Sequence, residues 1–250
     1  MSHPVKKALL IFTYLFLLQG FQAVYSQVNT IAVGFQYKPI FSTPLLKIDP
    51  PAETIGSAEF SIRQRSGHCV GMVIRRGINR TLSFESGINY TKRKYELKIQ
   101  DGTFEDNSRF SIIGYEIPVL LLAYIKLGKQ VFMNTALGTV LDIFPSNVTS
   151  SDTYFEQLSL RNNIFQPGLL ANIGYEYRTI NSGYFYFGAS FHRPFSSTYR
   201  TRVLYKNSTE MNTDLSGSYL TFDFRYFFHE DPIRKSEKKK KTKVKKMNNE

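Results

Sequence analysis

From residue 29 to residue 228, large apolar side chains recur at every second position in eight separate stretches. Ser111–Pro145 shows the pattern best. It holds two apolar runs, Ile112–Leu127 and Val131–Ile143, joined by a Gly-containing turn. In the second run Val131, Met133, Thr135, Leu137 and Thr139 alternate with Phe132, Asn134, Ala136, Gly138 and Val140. Period two about such a turn predicts a β-hairpin. Each arm exceeds the five or six residues of an ordinary soluble strand. A tilted strand needs about 9–11 residues to cross a bilayer. One face carries large apolar groups and the other small or polar ones, as a membrane barrel requires.

The same reading along the chain predicts strands over Asn29–Phe41, His68–Arg76, Arg80–Ile99, the two arms of the hairpin, Asn163–Arg178, Tyr184–Pro194 and Gly217–Phe228. Their connections alternate in length. Ser42–Gly67, Gln100–Arg109, Ser146–Asn162 and Phe195–Leu215 are expected as long loops. Tight turns are expected at Gly77-Ile78-Asn79, after Leu127, and at Asn181-Ser182-Gly183. Eight strands joined in this way predict an all-β, eight-stranded antiparallel up-and-down transmembrane β-barrel. Its three short turns and both termini share one side, periplasmic, and its four long loops face outward, extracellular. Closure leaves no unpaired edge in lipid. Tyr90, Tyr175, Tyr177 and Tyr226, near strand ends, suit interfacial aromatic girdles.

The two ends are separate segments. Lys6 and Lys7 precede the apolar run Ala8–Leu18, and Gln19–Ser26 is polar and small, so residues 1–26 are expected to be a cleaved secretory signal peptide. The run is too short for a spanning helix. Residues 229–250 are expected to be a disordered basic periplasmic tail. Of the chain's net +12, Arg234–Glu250 carries +7 and Lys6 and Lys7 carry two more, which leaves +3 for residues 8–233. Basicity is therefore a property of the tail. Lys238, Lys239, Lys240, Lys241, Lys243, Lys245 and Lys246 are its candidate contacts with an anionic surface such as lipid head groups or the cell wall. A secreted chain has no nucleic-acid partner. Residues 27–228 form one barrel domain.

Period-two parity places Arg75, Glu85, Glu116, Glu176, Asp223 and Arg225 on the face away from lipid. A charge there must pair or reach water, so a charged network filling the lumen is expected, with Arg225 able to reach Glu116 or Asp223. An eight-stranded barrel is just filled by side chains, which argues against a passive channel. No Gly-rich phosphate loop, paired-Cys spacing or nucleophile elbow occurs. His3, His68, His192 and His229 are scattered without metal spacing, and the lone Cys69 fits a small strand residue. Ser190 and His192 share a strand face, but that face is the lumen. Catalytic residues, cofactors and metals are not expected, and an outer-membrane lipid-modifying enzyme or a small passive channel is the alternative. A lipocalin-like carrier would need the opposite parity.

At several places the chain resembles the Bacteroidetes-type outer-membrane β-barrel proteins, the PorT-like group, and more broadly the eight-stranded OmpA–OmpX-like barrels. The resemblance rests on Gly34-Phe35-Gln36-Tyr37-Lys38-Pro39, Phe84-Glu85-Ser86-Gly87-Ile88-Asn89-Tyr90, Tyr115-Glu116-Ile117-Pro118, Pro167-Gly168-Leu169-Leu170 and the aromatic closing strand Gly217–Phe228. It implies an outer-membrane monomer inserted by the barrel-assembly machinery. The expected role is non-enzymatic: binding, envelope attachment or assistance to a secretion system, through the loops or the tail.

Overall fold

The structure is a computed structural model that describes residues 31–41, 49–79, 81–152, 154–179, 182–206 and 209–228. The expected leader 1–26 and basic tail 229–250, with its seven candidate lysines, lie outside the described residues. Every regular element described is a strand. In chain order they are β1 Ile31–Phe41, β2 Glu53–Ile55, β3 Ala58–Gln64, β4 Gly67–Gly77, β5 Leu82–Asp101, β6 Phe104–Lys126 and β7 Val131–Ile143. There follow β8 Val148–Ser151, β9 Phe155–Arg161, β10 Phe165–Arg178, β11 Tyr184–Pro194, β12 Tyr199–Tyr205, β13 Thr209–Leu215 and β14 Tyr219–Phe227.

Eight of these close into a barrel, in the order β1-β4-β5-β6-β7-β10-β11-β14 and back to β1, every pair antiparallel. The eight-stranded up-and-down fold is therefore as the alternation implied. Ile31 and Phe227 lie at one rim with the three tight turns, which are self-capped. Asn79 Oδ1, for example, accepts from the N–H groups of Thr81 and Leu82 at 2.9 and 2.7 Å. Gly183 takes φ +89° to close the turn before β11, a conformation costly for other residues.

Outward positions through the middle of the barrel are apolar. On β6 they are Tyr115, Ile117, Val119, Leu121, Ala123 and Ile125, eleven residues end to end, the length of one tilted crossing. Phe35, Val70, Ile88, Leu137, Ile173, Phe187 and Phe224 continue this exposed belt round the wall. At the turn rim the outward Tyr177 and Tyr226 donate hydroxyl hydrogen bonds to Gln130 Oε1 (3.0 Å) and the Ser182 carbonyl (2.6 Å). Tyr90 and Tyr115 meet edge to face near the opposite end of the belt, with ring centroids 6.0 Å apart, inside the range of about 4.5–7 Å usual for such pairs.

The four expected long loops need correction. Strands β5 and β6 run on past the belt and turn only at Gly102-Thr103, with Asp101 paired to Phe104 and Gly102 at φ +59°. The stretch Gln100–Arg109 is thus mostly strand. Ser42–Gly67 contains β2 and β3, and β3 pairs with the upper half of β5. Ser146–Asn162 contains β8 and β9, and Phe195–Leu215 contains β12 and β13. These four make a second sheet, β13-β12-β9-β8. β8 lies beside β6 and β13 beside β2, so the two sheets wrap round a common core and form a cap on the barrel.

The cap core is apolar: Phe60, Ile62, Leu97, Ile99, Ile112, Val203, Tyr205, Met211 and Leu215 are at most 2% exposed. Its outer face is polar, with Arg200–Asp214 and Lys98–Glu105 ion pairs in solvent. Strand β5 shows how one alternation serves both media. Its outward residues change from Phe84, Ile88 and Tyr90 to Lys94, Glu96 and Lys98. Its inward residues change from Ser83, Glu85 and Asn89 to Tyr95, Leu97 and Ile99. Facing never changes, but the chemistry of each face inverts where the wall leaves lipid for water.

Two outcomes follow for the cap. Leu97→Ala should cost about 2–5 kcal/mol locally, read as faster amide exchange in β3, β12 and β13 with the barrel strands still protected. Glu96 sits on the cap surface, where its hydrogen bond from Arg65, then that from Arg109, holds its carboxyl below the usual range. A lowered folded-state pKa stabilises the fold above the unfolded value, about 4.3 for Glu, and that contribution disappears as pH falls through the folded value. Exchange protection of the β3–β5 edge should therefore drop on acidification below about pH 4.3, and Glu96→Gln should remove that part of the pH response.

Candidate functional site: the barrel lumen

The inward faces of the eight barrel strands bring five carboxylates and five cations into one narrow space. All six network residues expected from parity are buried there: Arg75 3%, Glu85 2%, Glu116 5%, Glu176 1%, Asp223 1% and Arg225 4% exposed. Burial at this depth demands pairing, and five of the six are joined in a chain of ion pairs.

The chain starts near the turn rim. Arg178 Nε donates to Glu176 Oε1 at 2.6 Å, and the other oxygen of Glu176 accepts from Arg75 Nη1. Arg75 forks onto Glu85 through Nε at 3.0 Å and Nη2 at 2.8 Å. These two residues are direct cross-strand partners on β4 and β5, where opposite charges stabilise a sheet. Glu85 also accepts from Arg225 Nη1, whose Nη2 donates to Asp223 Oδ2 at 2.6 Å. Lys38 Nζ lies 3.6 Å from the same oxygen.

Neutral groups complete Asp223. Ser190 Oγ and Asn172 Nδ2 donate to Oδ2 at 2.6 and 2.9 Å, and Thr221 Oγ1 donates to Oδ1 at 2.6 Å. Tyr186 donates to Asn172 Oδ1 at 2.6 Å. The guanidinium planes lie over aromatic rings: Arg178 over Phe132 at 4.0 Å, Arg75 over Phe227 at 4.1 Å, Arg225 over Tyr186 at 4.7 Å. Each such contact adds cation–π attraction and fills cross-section. Leu120, Leu122, Tyr124, Ala136, Val140 and Leu170 fill the remaining wall.

Glu116 does not join this chain. It stands at the cap end of the span, where it accepts from Thr91 Oγ1 at 2.7 Å and from the Tyr219 hydroxyl. The expected approach of Arg225 to Glu116 is corrected accordingly. Arg225 sits deeper, and both its Nη groups are already held by Glu85 and Asp223. Cys69 is buried with its Sγ 3.9 Å from Glu116 Oε2. Asp142, which parity also turns inward, stands beside Glu116 and meets His192 Nε2 at 3.1 Å. Sequence reading passed over Asp142 because it ends an apolar run, although its even spacing from Phe132 through Val140 marks it as inward. Lys38, Arg93 and Arg178 were missed as partners for another reason: parity gives a face, and only the closed barrel gives a neighbour.

The Ser190 and His192 pair is not arranged for mutual proton transfer. Ser190 is bonded to Asp223 and Asn172, whereas His192 stacks on Tyr219 at 4.5 Å and points to Asp142. Above this level Arg93 donates from Nη1 to the Gly217 carbonyl at 2.8 Å and lies over Phe144 at 5.1 Å. Tyr95 stacked on Phe110, with Phe144 edge-on to Tyr199, then begins the apolar cap.

The pairing pattern sets an expected mutational result. Arg225→Leu should lower the unfolding midpoint in detergent by an amount equivalent to about 3–5 kcal/mol, because Glu85 and Asp223 each lose a buried partner. Adding Glu85→Leu should restore part of that loss, with a coupling energy of about 0.5–3 kcal/mol. Adding Glu116→Leu should restore nothing, and the two losses should simply sum.

No protein-family model and no curated protein sequence matches the chain. Among solved structures it is similar to the outer membrane protein OprG from Pseudomonas aeruginosa. The likeness spans 84% of this chain and 100% of that one at a TM-score of 0.53, with 11% identity. At that identity the likeness concerns the fold alone. The outer membrane protease OmpT from Escherichia coli aligns over 79% of this chain and 95% of its own at 9% identity, but a TM-score of 0.29 carries no argument. The chain therefore has the fold of an outer-membrane β-barrel.

Proposed function

We propose that the protein is a closed outer-membrane barrel whose task is to hold a folded β-cap on the outer side of the membrane, where the cap binds a macromolecular partner. The observation that carries this reading is the cap itself. Connections that serve only to join strands are short, whereas here four of them build two sheets round a buried apolar core. Such a core fixes the shape of the outer surface. The exposed belt supports the membrane location, because an apolar band of this width on a soluble protein would aggregate. The short turns and both barrel ends at one rim support a periplasmic turn side, by the usual arrangement of such barrels. Transport through the lumen is disfavoured by the ion-pair chain and by the apolar plug above it. The basic tail, on this topology, would lie in the periplasm within reach of anionic lipid or cell wall, and the PorT-like reading would make a secretion component a candidate partner.

The test combines location with conduction. Proteolysis of intact cells is expected to cut, if anywhere, at cap tips such as Gly102-Thr103, and to leave the turn at Gly128-Lys129 intact until the membrane is permeabilised. In a planar bilayer the purified protein should carry no stable single-channel current. Cleavage at the turn rim in intact cells would reverse the topology, and steady conductance would replace the capped scaffold with a channel.

A further inference from the structure

Where the lumen meets the cap, two carboxylates face each other across neighbouring strands: Glu116 on β6 and Asp142 on β7 are direct register partners. They are 5% and 3% exposed. Like charges placed opposite one another repel, and burial strengthens that repulsion. The Lys and Arg ion pairs of the lumen all go to Glu85, Glu176 and Asp223. Arg93 faces the pair from the cap side, but its hydrogen bond goes to the Gly217 carbonyl.

Other polar atoms converge on the same place with bonding capacity to spare. His192 is 1% exposed, has one ring nitrogen 3.0 Å from Asp142 Oδ2, and leaves Nδ1 without a hydrogen-bond partner. Gln166 is the cross-strand partner of Asp142 on its other side, is 1% exposed, and has Oε1 unpartnered. Lys38 and Arg93 act on the two carboxylates only through space. Buried polar atoms are nearly always satisfied, so unsatisfied ones beside two facing carboxylates with no direct Lys or Arg partner call for a ligand that accepts lone pairs and brings positive charge.

We propose that Glu116, Asp142 and His192 are the protein ligands of a divalent transition-metal site that joins β6, β7 and β11 directly beneath the cap. One ligand atom from each lies within 4.8 Å of the others. Zinc holds imidazole nitrogen and carboxylate oxygen at about 2.0–2.2 Å, so small side-chain rotations would bring all three to one ion. The imidazole selects a transition ion over magnesium or calcium, which take oxygen ligands. The cation places positive charge in direct contact with both carboxylates. The site's role is mechanical: it ties three strands of the wall at the level where polar filling gives way to apolar cap.

Zinc is the probe. The full-length protein, refolded in detergent without metal and then equilibrated with Zn²⁺, should retain one equivalent per chain through desalting. Its unfolding midpoint should rise by several degrees at Zn²⁺ about 100-fold above the dissociation constant, and Mg²⁺ should produce neither effect. His192→Gln and Asp142→Asn should lose both effects, while His68→Gln, which alters an outward-lying histidine, should keep them. If the lumen variants fail to fold, X-ray absorption of the zinc-loaded wild type decides instead: one imidazole with oxygen neighbours is expected. No retained zinc, retention unchanged in folded His192→Gln, loss in His68→Gln, or a spectrum without a single imidazole would each overturn the site.

Discussion

The whole structure depends on one constraint: a strand's side chains alternate in facing and cannot do otherwise. A wall made of such strands has an inside and an outside that run unbroken from one rim to the other. The solvent on the outside changes from lipid to water part way along. The chain answers by exchanging the chemistry of the two faces at one level, while the backbone continues without a break. On β5 that level lies between Tyr90 and Tyr95, where Thr91 and Arg93 face in and Lys92 and Lys94 face out or partly out. Below it the polar groups are inside and must satisfy each other. Above it the apolar groups are inside and pack as in any soluble domain.

The charged lumen and the apolar cap are thus two solutions to filling one tube. In the lipid zone the outward positions are taken by apolar residues, and filling from within falls to long side chains with polar heads. Arginine suits this task, since its guanidinium can bond carboxylates with its edge and cover an aromatic ring with its face. Arg75, Arg178 and Arg225 all do both. The ion pairs are not needed for stability as such, because desolvation offsets much of their attraction. Their specific geometry does bind one strand register to the next round the barrel. Tyr186 adds to this: its hydroxyl occupies the space left by Gly174 and Gly188, which are paired on β10 and β11.

The cap gives the barrel a surface that its wall cannot offer. Its sheets carry exposed charges in cross-strand pairs such as Arg200–Asp214, which keep it soluble. The core beneath fixes the spacing of those charges. A partner would therefore meet a preformed surface and lose little entropy in ordering it. The junction between the two fillings holds Glu116, Asp142 and His192, and there, among the described residues, the direct Lys and Arg ion pairs seen lower in the lumen stop.

The amino-acid sequence alone determined the facing of each barrel residue. Period two in segments long enough to cross a bilayer, separated alternately by short and long connections, admits little besides an up-and-down barrel of eight strands. It was also enough to set Arg75, Glu85, Glu116, Glu176, Asp223 and Arg225 inside. It did not reveal the cap strands, although Ala58-Phe60-Ile62 and Tyr199-Thr201-Val203-Tyr205 alternate clearly in hindsight. These segments are only seven residues long, are rich in Arg, Glu and Ser on their outer face, and have no meaning until another sheet stands opposite. Nor could it assign partners. Asp142 and His192 are fifty positions apart, and whether Arg225 reaches Glu85 or Glu116 depends on stagger between strands far apart in sequence. Facing is a local property of the backbone, legible residue by residue. Neighbourhood across a closed barrel is set by registers accumulated round the ring, and only the tertiary structure decides it.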